Sequence, residues 1–248
     1  MALLKRERGL PPSPNGASSM HLWWEPGSAD PVRVSVDLEI IEPPQVPRLY
    51  FWAIQASFVD PFTGQLHGGA HLGLPHHPPY PGSRAANWGG YAADGSILDG
   101  TESPLPSAPD DPNTRDFHWS PGVVYRLAIE RGDAGRWKGV IEQTDSDLRV
   151  EVRELIVSRG ADALHGIVVW TEAFAACGDP PVAVRWSSFT TYSADGESLH
   201  PASLRARYQS YRDGGCTNTT AEPFGAAVIQ RTATERAVRE GAVLRLRA

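Results

Sequence analysis

The chain of 248 residues predicts an all-β fold, a two-sheet antiparallel jelly-roll sandwich, and three observations carry that reading. Apolar residues recur at every second position over long stretches, which is the period of a half-buried strand. The 24 glycines and 22 prolines interrupt those stretches at short intervals and exclude long helical bundles. The stretches are also short and number about a dozen, and strands that each bury one face need a second sheet to bury it against.

The elements follow in chain order. Residues 1–19 read as a Pro/Ser-rich leader ahead of a single domain over 20–248. Lys5, Arg6 and Arg8 are followed by Pro11-Pro12-Ser13-Pro14, where a signal peptide would carry its apolar region. Val32, Val34, Val36, Leu38 and Ile40 alternate with Arg33, Ser35, Asp37 and Glu39 as a half-buried strand. Leu49 to Val59 is apolar on both faces, as a central strand covered on each side should be. Val123, Tyr125, Leu127 and Ile129 alternate into Arg131-Gly132-Asp133-Ala134-Gly135, and Trp137, Gly139 and Ile141 alternate out of it, which predicts a hairpin. Further strands are expected at 69–74, 86–92, 148–157, 163–175, 182–193, 199–209, 224–230 and 241–247. Thr232 to Glu240 is the one helix-like stretch. Residues 60–86 and 93–118 interrupt the strands, and segments of that length tend to be functional or mobile.

Composition removes several classes of function. A net charge of −6 argues against a general nucleic-acid binder, which needs a basic surface. No apolar run approaches a membrane span, so no membrane partner is expected. Cys177 and Cys216 could form one bridge but, without an export signal, are expected as free thiols in a cytoplasmic protein.

Three constellations could carry chemistry. Leu66 to His77 contains His67, His71, His76 and His77, half of the eight histidines, and imidazoles bind transition metals when clustered. The spacing matches no metalloenzyme signature, and no cofactor is expected. Asn87, Gly89 and Tyr91 share one strand face and Trp88 takes the other. A flat aromatic beside an amide suits a sugar, the ring covering C–H faces while amides and imidazoles satisfy hydroxyls; a core tryptophan with glycines making room for it is the alternative. On 163–175, Trp170, Glu172 and Phe174 share a face, and a carboxyl between aromatics has its pKa raised by desolvation, as a general acid requires. Glycoside hydrolysis needs a second carboxyl group, which Asp60, Asp94, Asp99 or Glu142 could supply only in space. There is no Gly-x-Ser-x-Gly elbow and no phosphate loop.

Trp23-Trp24-Glu25-Pro26, the alternating strand after it, Tyr50-Phe51-Trp52-Ala53 and Gly69-Ala70-His71-Leu72-Gly73-Leu74 occur in an order that resembles concanavalin-like, lectin-like β-sandwich proteins of uncharacterised function. The resemblance covers about residues 20–175. It implies a concanavalin-like jelly roll and, by analogy, a carbohydrate ligand. His71 stands where that family carries an aromatic residue, and the 75–85 loop is longer.

The leading expectation is carbohydrate or glycoconjugate binding through His71, Asn87, Trp88, Tyr91 and Trp170. The alternatives are a glycan-active hydrolase or lyase using Glu172, a metal-dependent enzyme of small molecules using the histidine segment, and a protein-interaction module.

Overall fold

The computed structural model describes residues 16–24, 30–108, 111–133 and 135–247. Its strands are β1 (Ser18–Trp24), β2 (Arg33–Glu42), β3 (Tyr50–Val59), β4 (Leu66–His76), β5 (Ala85–Ala92), β6 (Thr114–Asp116), β7 (Val124–Arg131) and β8 (Arg136–Gln143). They continue with β9 (Arg149–Ile156), β10 (Ala163–Ala173), β11 (Ala183–Tyr192), β12 (Ser198–Leu199), β13 (Ser203–Tyr208), β14 (Thr220–Phe224), β15 (Ala227–Arg231) and β16 (Val243–Arg245).

These strands form two antiparallel sheets. The first runs β16-β13-β1-β10-β3-β4-β5-β6, and the second β14-β15-β11-β2-β7-β8-β9, with β12 paired beside β11. The all-β, two-sheet jelly-roll reading therefore holds. The β2 alternation and the β7–β8 hairpin fall where their period places them, although Ala134 of the turn lies outside the described residues. So do residues 1–15 of the leader and Glu25-Pro26 of the aromatic motif. β1 begins at Ser18, inside the stretch read as leader.

The inward faces meet in one core holding Trp52, Trp88, Trp119, Trp137 and Trp186 with no or almost no exposure. A buried indole N–H favours an acceptor, and three of these five have one. Trp119 donates to the Pro75 carbonyl at 3.1 Å, Trp137 to the Ala161 carbonyl at 2.9 Å and Trp186 to Gln230 Oε1 at 2.8 Å. Gln230 joins the sheets: its Oε1 also accepts from Thr171 Oγ1 at 2.6 Å, and its Nε2 donates to the Met20 carbonyl at 3.1 Å.

Three local expectations are corrected. Residues 232–240 form no helix, because tertiary bonds claim the segment's polar groups. Thr234 N–H donates to the Asn218 carbonyl and Ala237 N–H to Thr220 Oγ1. The Arg236 guanidinium donates to the carbonyls of Cys216 and Thr219 and lies 4.0 Å over the Tyr208 ring. The single strand expected at 224–230 is a hairpin of β14 and β15, turning at Gly225 with φ +61°. Cys177 and Cys216 are not free; they form a disulfide across a separation of 39 residues.

Candidate functional site

Side chains alternate across the first sheet, so its register sorts them into rows. On the face turned away from the second sheet, one row reads Arg205, Trp23, Val168, Gln55, His71, Gly89. The adjacent row reads Arg207, His21, Trp170, Ala53, Gly73, Asn87. Glu172 lies in the next row, between Ser19 and Phe51. Tyr91 lies opposite Gly69 at the other end.

This face has its own small apolar cluster of Ala53, Val168, Trp170 and Phe51, separate from the main core. The Phe51 ring meets Trp170 edge-on at 4.8 Å and His71 at 5.5 Å, and His71 lies 5.7 Å from Trp170. Gly73 makes room for them, since a Cβ there would come 2.7 Å from the Phe51 ring and 2.1 Å from the Trp52 carbonyl oxygen. At Gly89 the side chain of Asn113 takes the Cβ space.

Two hydrogen-bond chains orient the polar groups. Trp170 Nε1 donates to Gln55 Oε1 at 3.3 Å. Asn87 Nδ2 donates to Thr114 Oγ1 at 2.9 Å, and Thr114 Oγ1 donates to Asp111 Oδ2 at 2.6 Å. Asn87 Oδ1, at the far end, is buried, and the amide is a hydrogen-bond partner of His71. Burial pulls His71 down to about 4, partly opposed by the Asn87 amide and the Asp111 carboxylate, so its imidazole is neutral at pH 7. Burial raises Glu172, opposed by the Ser19 hydroxyl that donates to Oε1 at 3.3 Å.

The expected site residues divide accordingly. His71, Asn87 and Trp170 come together, with Tyr91 at the rim and Glu172 two positions along the strand from Trp170. The assignment of Trp88 to ligand stacking is corrected: it points inward, has no exposed surface and packs on Gly139 of the second sheet. Glu172 pairs with Phe51 and so with Pro75, four residues from His71, or about 13 Å along the strand. The two therefore cannot act on one bond. None of the proposed second carboxyl groups sits beside Glu172. Asp60 and Asp94 accept turn N–H groups, Glu142 pairs with Arg149 on the second sheet, and Asp99 lies against β9.

The histidine segment does not converge either. His67 bonds Ser158 Oγ at 2.7 Å at one end of β4, and His76 and His77 lie at the other. Among the described residues, no three His, Cys, Asp or Glu side chains gather as a metal ligand set. Sequence reasoning missed Gln55 and the Asp111–Thr114 pair. The available signal for Gln55 was a lone amide inside a mostly apolar strand.

No protein-family model matches the chain, and no curated protein matches it. Solved structures do share its fold. The scytalidoglutamic peptidase bound to a peptide-based transition-state analogue is 12% identical, covering 86% of this chain and 97% of that one, with a TM-score of 0.50. SCP-B, a member of the eqolisin family of peptidases bound to the tripeptide Ala-Ile-His, is 11% identical, covering 86% of this chain and 97% of that one, with a TM-score of 0.47. The concanavalin-like resemblance thus narrows to a β-sandwich of the kind the scytalidoglutamic peptidase has. No helix among the described residues is long and apolar enough to cross a membrane.

Proposed function

We propose that the chain binds a carbohydrate or glycoconjugate across the outer face of its first sheet, centred on Gln55, His71 and Asn87. One observation carries this reading: a neutral, hydrogen-bonding centre lies between exposed aromatics, Trp23 at 41% and Tyr91 at 43% exposure. The rings offer apolar faces to sugar C–H groups, while Gln55 and His71 present a donor and an acceptor to hydroxyls. Strands hold all of them, so little ordering entropy opposes binding. Tryptophan fluorescence titrated with a panel of oligosaccharides tests it. A saturable change lost in His71→Leu, with unchanged circular dichroism, is expected; silence across the panel refutes it.

Glu172 favours a second reading, a hydrolase. A half-buried carboxyl raised by desolvation can donate a proton, and the fold is shared with enzymes whose names record a catalytic glutamate and peptide substrates. That reading requires product release from a glycan or peptide that stops in Glu172→Gln. The disulfide suits an oxidising compartment better than the cytoplasm, and we place the protein there.

A further inference from the structure

We propose that the free edge of β16, with the groove beside it, docks an extended acidic peptide as a further strand of the first sheet, independently of the carbohydrate reading above. The two ends of the sandwich treat their edges differently. At one end the 99–107 segment covers both outer strands. Thr101 N–H donates to the Glu154 carbonyl of β9, Ile156 N–H of β9 to the Asp99 carbonyl, and Asp116 N–H of β6 to the Pro106 carbonyl, each at 2.8 Å. At the other end β14 carries Pro223, which has no N–H to offer, and β16 is the last strand of its sheet. Leu246 N–H donates to the Ala202 carbonyl and the Ala242 carbonyl accepts from Ala206, so Leu244, between them, also bonds toward β13. The N–H and carbonyl groups of Val243 and Arg245 therefore point off the sheet, and no backbone group among the described residues takes them up. Such an edge is a template for another strand.

Beside this edge lies a groove of about 860 Å³, bounded by Pro223 of β14, the 237–239 segment and β16. Its apolar wall includes Val238, Leu244 and Leu246, which pack on the main core. Its rim is cationic: Arg239, Arg245 and Arg247 are exposed, and no Asp or Glu lines the groove. Arg207 and Arg231 pair with Glu240 and Glu42, whereas these three have no carboxylate partner among the described residues. Alternation sorts the two chemistries. Leu244 and Leu246 turn inward, and Val243, Arg245 and Arg247 turn outward, beside Arg205 of β13. A strand paired to Val243 and Arg245 sets every second side chain against the cations and the ones between against the apolar wall. The occupant is therefore an extended segment with acidic residues at alternate positions and apolar residues between them. A second copy of this edge would set arginine against arginine, and Lys5, Arg6 and Arg8 give the leader the same sign. An acidic glycan would meet the guanidinium groups but has no N–H and carbonyl alternation to offer the edge.

Fluorescence anisotropy with the full chain tests the proposal. The labelled probes are a capped peptide of alternating Glu and Val, the same peptide with Lys for Glu, two forms N-methylated at Glu or at Val, and an oligogalacturonate. The Glu-Val peptide should bind saturably, and the Lys peptide and the oligogalacturonate about tenfold more weakly or not at all. At least one N-methylated form should also weaken about tenfold, because an added strand points only alternate N–H groups at β16. Arg245→Glu, which reverses a rim charge, and Val243→Pro, which removes an edge N–H that β13 does not use, should each cost the Glu-Val peptide about tenfold with circular dichroism unchanged. No binding of the Glu-Val peptide overturns the proposal. So does affinity unchanged in either folded variant. Equal binding of the parent and both N-methylated forms overturns strand addition, and equal binding of the oligogalacturonate makes the groove a plain anion site. Concentration-dependent dimers in sedimentation that are lost in Arg245→Glu would assign the edge to a second copy and overturn the acidic peptide.

Discussion

Trp88 and Gly139 face each other across the sandwich so closely that a Cβ added at residue 139 would lie 2.6 Å from the indole. β5 of the first sheet supplies the ring and β8 of the second supplies the gap. The tryptophan most suggestive of a ligand in the sequence is therefore a core element. Gly139→Ala must displace a rigid ring, and overpacking of this kind costs about 1–3 kcal/mol. Trp88→Ala empties the same space at about 3–5 kcal/mol. Urea midpoints should fall for both variants, and an unchanged midpoint in either would contradict the packing.

The Cys177–Cys216 bond joins the segment after β10 to the one before β14. Cys216 N–H also donates to Ser18 Oγ of β1 at 2.8 Å. Closing a 39-residue separation in the unfolded chain corresponds to about 4 kcal/mol by loop entropy, with native strain as the usual discount. Cys177→Ala/Cys216→Ala should lose about 2–4 kcal/mol in urea unfolding. Identical stability of the wild type with and without reductant would show that the bond does not form.

His71 and Glu172 give stability opposite dependences on pH. The His71 pKa is depressed from 6.5 to about 4 on folding, so between those values the unfolded chain binds the extra proton. Its neutral imidazole is therefore no burden above about pH 6.5, and stability is lost progressively as pH falls toward 4. The difference in unfolding free energy between wild type and His71→Gln should change across that window and be flat above it. His21, His76 and His77 are also lowered by burial and share this sign, so the difference curve, not the wild-type curve alone, isolates His71.

Glu172 is raised on folding, so its contribution is fully present below its unfolded pKa and is lost as pH rises through the folded one. Glu172→Gln removes the cost of ionising a half-buried carboxyl and keeps an acceptor for the Ser19 hydroxyl. The melting temperature of the variant relative to wild type should therefore rise as pH is raised from 3 to 7. A difference that stays flat or falls between pH 3 and pH 7 would contradict the desolvation account.

Much of the fold was legible because antiparallel strands with one buried face carry a period of two. Val34, Val36, Leu38 and Ile40 are all fully buried, as their alternation requires. The same period correctly opposed Asn87 and Tyr91 to Trp88, but alternation cannot say which face meets the second sheet. That choice is fixed by strand order: β5 lies between β4 and β6, and its Trp88 side packs on β8. The site was half legible for the same reason. His71, Asn87 and Trp170 converge only because β10, β3, β4 and β5 are adjacent. The disulfide and the Asp111–Thr114–Asn87 chain depend on segments far apart in sequence, and no local pattern encodes them.

The central claim is that ligand meets the outer face of the first sheet at Gln55, His71 and Asn87. The most direct measurement is the indole ¹H–¹⁵N spectrum, with the Trp170 and Trp88 signals assigned through Trp170→Phe and Trp88→Phe, recorded while the tightest-binding oligosaccharide of the panel is added. The Trp170 signal, bonded to Gln55, should move in a saturable way while the Trp88 signal stays in place. A stationary Trp170 signal under saturating ligand would contradict the account.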